Sequence, residues 1–149
     1  MNAINNNPNW TCDTDALNAL LGYQLSAVDT YDRAMTKFAD PHALSELQHI
    51  REDHARSVVM LRAKVTQFGA LQAESPGPWS TFTEAITGES NLLGLAALKQ
   101  GEQHAINEYE EALRNEAVNP ECKDLIRAEL LPNDKCHMEK LDRLLGGMS

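Results

Sequence analysis

Two dipeptides, Asp40-Pro41 and Asn119-Pro120, constrain this chain of 149 residues more than any other feature. In each, a side chain able to accept a hydrogen bond from the first helical turn precedes a proline. The fixed φ of the proline suits the first helical position, and its missing N–H is not needed there. Each dipeptide therefore restarts a helix almost where another has ended, and so short a connection leaves only an antiparallel hairpin. The periodicity predicts helices from Asp13 or Thr14 to about Ala39, from Pro41 to Phe68 with Gly69 as the stop, from Ser90 to about Ala117, and from Pro120 to Leu145 before Gly146-Gly147. The fold class is all-α, a four-helix bundle of two antiparallel hairpins.

The hairpins are separated by residues 69 to 89, with a turn signature SPGPW and a short predicted helix over Pro78 to Thr87. About twenty residues at about 3.3 Å each could cross a bundle roughly 40 Å long, which would set helix three parallel to helix two. A connection folded back on itself would give up-down-up-down instead. The Asn-rich start, with Pro8 and Trp10, is expected to be a flexible arm over residues 1–12, leaving 13–149 as a single domain.

Each predicted helix carries an apolar stripe at three- and four-residue steps, and each stripe is broken by polar residues. Helix one has Leu17, Leu21, Gln24, Val28, Tyr31 and Met35; helix two has Leu47, Arg51, His54, Val58 and Leu61. Helix three has Leu95, Leu98, Glu102, Ala105 and Tyr109; helix four has Ile126, Leu130, Asp134, His137 and Leu141. Packed together, the four stripes would bury Gln24, Arg51, His54, Glu102, Asp134 and His137 in one cluster. Pro132, one turn before Asp134, is expected to kink helix four, and Gly101 thins helix three beside Glu102.

The two hairpins also resemble each other. QLSAVDTYDRAM from Gln24 aligns with EQHAINEYEEAL from Glu102, and REDHARSVVML from Arg51 aligns with DKCHMEKLDRL from Asp134. Gln24 becomes equivalent to Glu102, Tyr31 to Tyr109, Arg51 to Asp134 and His54 to His137. An amphipathic bundle has no need of such a match at its polar intrusions.

Composition removes several classes of function. A formal charge of -9 argues against a sequence-independent grip on nucleic acid and against an anionic membrane surface. The apolar run Leu92–Leu98 is too short to span a bilayer, and the first residues lack the basic and apolar regions of a secretory signal, so a cytoplasmic protein is expected. Cys12, Cys122 and Cys136 have no metal or redox spacing and are read as ordinary thiols. No Ser-His-Asp context and no Gly-rich phosphate loop is present. His49 with Glu46, Glu52 and Asp53, and His104 with Glu108, are assigned to outward, solvated faces.

A carboxylate from each of two helices plus a carboxylate-x-x-His from each of two others is the scheme of ferritin-like di-metal sites. The chain resembles it at Glu102, Asp134, His137 and His54, and departs from it at Gln24 and Arg51. Glu102 and Asp134 offset by Arg51 would leave about one negative charge, which speaks against a two-iron centre and for a single Zn, Mn or Fe. From about Leu17 to Leu145 the chain is also similar to a bacterial ferritin-like four-helix-bundle family of unknown function. The likeness is carried by LNALLGYQLSAVDTY, LQHIREDHARSV, GPW, GEQHAINEYEEAL, and LIRAELLP followed by His137. It implies the fold and assigns no reaction.

Two functions are consistent with these residues. One is a metal-binding bundle with His54, Glu102, Asp134 and His137 as ligands, handling iron or reacting it with oxygen or peroxide. The other is a non-catalytic bundle acting through self-association, expected as a homo-oligomer, or through a partner helix. In that case Arg51 would stand in the metal's place, bridging Glu102 and Asp134, with His54, His137 and Gln24 completing a hydrogen-bond network. Tyr31 and Tyr109 are read as core tyrosines with satisfied hydroxyls.

Overall fold

The computed structural model describes residues 14–68 and 91–148, whose regular elements are all helices, without strands. The expected N-terminal arm, Cys12, the SPGPW turn, the short helix over Pro78 to Thr87 and the caps at Gly69 and Ser90 lie outside these residues. α1 spans Thr14–Met35, α2 Pro41–Gln67 and α3 Asn91–Arg114. The fourth rod is built of α4 (Pro120–Leu125), a π-helical turn (Ile126–Leu130) and α5 (Leu131–Met148).

The two cap-then-proline signals act as their chemistry requires. Asp40 is extended at φ -69° and ψ 122°, and its carboxylate accepts from the Ala43 N–H at 2.8 Å. Asn119 is extended at φ -61° and ψ 139°, and its amide oxygen accepts from the Glu121 N–H at 2.8 Å. Both preceding helices end earlier than their periodicity suggests. α1 stops at Met35, where the Thr36 hydroxyl donates to the Arg33 carbonyl at 2.7 Å; a residue before proline also disfavours helical backbone. α3 stops at Arg114 because Asn115 folds back to accept from the Ala117 N–H at 2.9 Å. At the other end, α5 runs through Gly146 and Gly147 to Met148.

Bonds between the rods fix their directions. Gln24 meets His54 while Asp32 meets Arg51, so α1 and α2 are antiparallel. Tyr31 meets Glu102 while Gln24 meets Tyr109, so α1 and α3 are antiparallel as well. α2 and α3 consequently run parallel. Lys64 with Glu121 and Glu46 with Lys140 set the fourth rod antiparallel to α2.

The shared interior is lined by Leu21, Tyr31, Leu47, Leu98, Tyr109 and Leu130, all essentially without solvent exposure. Each such side chain contributes about 1.5–3 kcal/mol through removal of apolar surface from water. That driving force is what allows Gln24, His54, Glu102, Asp134 and His137 to be held in the same interior. No described helix is long and apolar enough to cross a membrane.

Just before Pro132 the fourth rod widens into a π-helical turn. Leu131 N–H bonds to the Ile126 carbonyl, five residues back. From Ile126 to Asp134 is eight residues, or about 80° beyond two full turns of an α-helix. A wider turn takes up this drift, so that Ile126, Leu130, Asp134 and His137 all face inward. The same turn lies where Pro132 supplies no N–H and its ring crowds the carbonyl one turn back.

Candidate metal centre

Glu102 is the hub of the buried cluster. Its Oε2 accepts from the Tyr31 hydroxyl at 2.6 Å and lies 2.7 Å from His54 Nε2, while its Oε1 lies 3.2 Å from His137 Nδ1. The Tyr31 ring stacks on the His54 imidazole with centroids 5.4 Å apart. Asp134, one helical turn before His137, brings Oδ1 to 3.6 Å from His137 Nδ1. One ligand atom from each of His54, Glu102, Asp134 and His137 lies within 4.8 Å of all the others, and all four residues are buried. Ligands bound at about 2.0–2.2 Å to one ion stand about 3–4 Å apart, so the four side chains are gathered on the scale of one coordination sphere.

The outer nitrogens of both imidazoles are already engaged. His54 Nδ1–H donates to Gln24 Oε1 at 2.5 Å, and the Gln24 amide is oriented by donating its own N–H to the Tyr109 hydroxyl. His137 Nε2–H donates to Asp53 Oδ2 at 2.9 Å. In their neutral forms, then, His54 Nε2 and His137 Nδ1 present lone pairs to two carboxylates. In those forms the two imidazoles and two carboxylates meet as acceptors, with only the Tyr31 hydroxyl donating to Glu102, and the contacts of His54 and His137 with Glu102 call for a further proton or a cation between them.

Asp134 shows the consequence most plainly. It is fully buried, yet neither of its oxygens accepts a hydrogen bond among the described residues. An unsatisfied buried carboxylate is costly and calls for a proton or a cation. Burial, and then the Glu102 charge, push its carboxyl well above the usual aspartate range. Burial would raise the Glu102 carboxyl too, but His54 and His137 hold it below the usual range. Burial lowers His54 despite Glu102 beside it; at His137 the attraction of Glu102 overcomes burial and raises the imidazole. The two tyrosine hydroxyls are pushed up by burial and by the neighbouring carboxylates, so both remain protonated donors at neutral pH.

The internal repeat reappears as paired contacts. Tyr31 bonds Glu102 across the core, and their sequence equivalents, Tyr109 and Gln24, bond each other. The correspondence fails at Arg51, the equivalent of Asp134. Arg51 does not enter the cluster: its Nε and Nη2 bind Asp32 at 2.9 and 3.4 Å on the outer side of α1 and α2. The long side chain starts at the margin of the buried stripe and reaches a nearby carboxylate in water, where its charge costs less than in the core. The bridge from Arg51 to Glu102 and Asp134 expected for a metal-free network is therefore not formed.

Asp53 is the converse correction. Assigned to a solvated face, its side chain is only 19% exposed, and it joins α2 to α5 through His137. Its position next to inward-facing His54 could have flagged a half-buried site, but a helical stripe alone does not mark residues at its edge. His104 is exposed, as its assignment to an outward face requires, and its Nδ1 lies 3.2 Å from the Tyr23 hydroxyl.

No curated protein and no solved structure was found to match the chain. A family profile, described as a domain of unknown function, matches residues 13–115. The matched stretch includes Gln24, Tyr31, His54, Glu102 and Tyr109 and ends before Asp134 and His137. With well over half of its length matched, the chain belongs to the family of the domain of unknown function DUF2383.

Proposed function

We propose that the protein is a ferritin-like bundle, one domain over residues 13–149, that binds a single divalent transition-metal ion, iron, manganese or zinc. The ligands are His54, Glu102, Asp134 and His137. The observation that carries this reading is the convergence of two imidazoles, whose outer nitrogens are already hydrogen-bonded, on two buried carboxylates, one of which accepts no hydrogen bond among the described residues. Metal-binding histidines characteristically have their second nitrogen held in this way. With Arg51 drawn off to Asp32, the two carboxylates supply a charge of about -2, which one dication neutralises. Ferritin-like topology is supported by the parallel course of α2 and α3 and by the polar repeat. When bound, iron or manganese would supply redox chemistry with oxygen or peroxide, and zinc a Lewis acid. Around it Tyr31 holds Glu102, while Tyr109 holds Gln24 and through it His54.

The setting that fits this reading is a bacterial, cytoplasmic homo-oligomer without nucleic-acid or membrane partners, in keeping with the charge of -9. A second reading is favoured by Glu102, which can be satisfied by Tyr31, His54 and His137 without metal if protons are shared among them. The bundle would then be non-catalytic and act through self-association or partner binding.

Elemental analysis by plasma mass spectrometry, after incubation with Fe(II), Mn(II) or Zn(II) and desalting, separates the two readings. Near-stoichiometric metal in the native protein, lost in Glu102→Ala and His137→Ala, is the expected result. No retained metal, with both variants only less stable, would leave the proton-filled network.

A further inference from the structure

We propose that Asp53 is a positioning residue that fixes which nitrogen of His137 faces the metal centre. This rests on the metal-binding reading, which assigns His137 as a ligand, and it adds a residue outside the ligand set. The Asp53 carboxylate is divided between two partners. Oδ1 pairs with Arg56, one turn further along α2, and Oδ2 accepts the His137 Nε2–H at 2.9 Å. The Ser57 hydroxyl also donates to the Asp53 backbone carbonyl at 3.1 Å, tying down the same turn. With Nε2 so engaged, Nδ1 is left to face Glu102 Oε1 at 3.2 Å and Asp134 Oδ1 at 3.6 Å. Without Asp53 the imidazole could take its other tautomer or rotate, turning an N–H toward the ligand carboxylates in place of a lone pair.

The chemistry has two parts. The acceptor geometry sets the tautomer, and the negative charge makes the inward nitrogen a better donor to a cation. Asparagine can retain the first by presenting its amide oxygen, but not the second; alanine removes both. The expected order of metal affinity is native, then Asp53→Asn, then Asp53→Ala, with the last about 10- to 100-fold weaker than native.

Two measurements test this. The first needs no metal: nitrogen chemical shifts of the His137 ring, recorded by NMR in metal-free protein at a pH where the ring is neutral. They should show the Nε2–H tautomer in native protein and in Asp53→Asn, and a mixture or the Nδ1–H tautomer in Asp53→Ala. The second is titration with Co(II), followed through its visible d–d bands, together with the melting temperature of each metal-free variant. Reduced affinity and an altered band shape in Asp53→Ala, smaller changes in Asp53→Asn, and similar melting temperatures would support the assignment. An unchanged tautomer in Asp53→Ala, or Co(II) affinity equal to native in both variants, would overturn it. If native protein binds no Co(II), the metal reading itself fails, while the tautomer experiment still decides whether Asp53 orients His137.

Discussion

At the scale of single residues, Asp134 sets function against stability. Its carboxyl is raised well above the usual range by burial and by Glu102, and it accepts no hydrogen bond among the described residues. A group whose folded value lies above its unfolded one favours folding in acid and loses that contribution as pH rises through the folded value. Asp134→Asn cannot ionise and escapes the loss. Metal-free Asp134→Asn should therefore be more stable than native protein by about 1–3 kcal/mol at pH 7, with the difference vanishing below the ordinary aspartate range. Chemical denaturation across pH checks this, and a variant less stable at pH 7 would show that the buried charge is better compensated than the geometry indicates. The same variant should lose the metal retained by the native protein. Tyr31→Phe isolates a different contribution: it removes the donor 2.6 Å from Glu102 and should lower stability by about 1.5–3 kcal/mol in urea unfolding. Of the residues that matter at this scale, His54, Glu102, Asp134 and His137 were legible as polar intrusions in apolar stripes. Arg51 and Asp53 were not, because both stand where the stripe meets solvent, and reach and neighbouring charge decide which way such side chains turn.

At the scale of elements, the caps and the fourth rod hold the ligands at one level. Asp40→Ala and Asn119→Ala should each cost about 0.5–2 kcal/mol, since each removes a side-chain acceptor from a first turn whose N–H groups have no other helical partner. Thermal or urea unfolding measures the loss, and retained metal stoichiometry in both variants would show that the damage stays at the hairpin corners. The helix starts at Pro41 and Pro120 were readable because capping is local chemistry. The early ends of α1 and α3 were not, because Thr36 and Asn115 turn back onto their own backbones and end helices whose periodicity would allow them to continue. Pro132 marked where the fourth helix would be interrupted, but not that the interruption would be a π-helical turn from Ile126 to Leu130.

At the scale of the whole molecule, metal binding and folding should be linked. The proposed ligands come from α2, α3 and α5, which are distant in sequence, so an ion held between them binds the folded chain and not the unfolded one. A metal present at about 100 times its dissociation constant should add about 2.7 kcal/mol, or about 5–10 °C in melting temperature for a chain of this size. Calorimetry with and without added metal checks this, and His137→Ala should show almost none of the increase. What the sequence determined by itself was whatever depends on near neighbours and on period. It set the helices, their starts at two prolines, the two hairpins and, Arg51 apart, the polar residues of the buried cluster. Only the tertiary structure decided the parallel course of α2 and α3, the capture of Arg51 by Asp32 and the bond from Asp53 to His137. The physical reason is that a helical period states which face of a rod a residue occupies, whereas the partner it meets there depends on how separate rods are placed against one another.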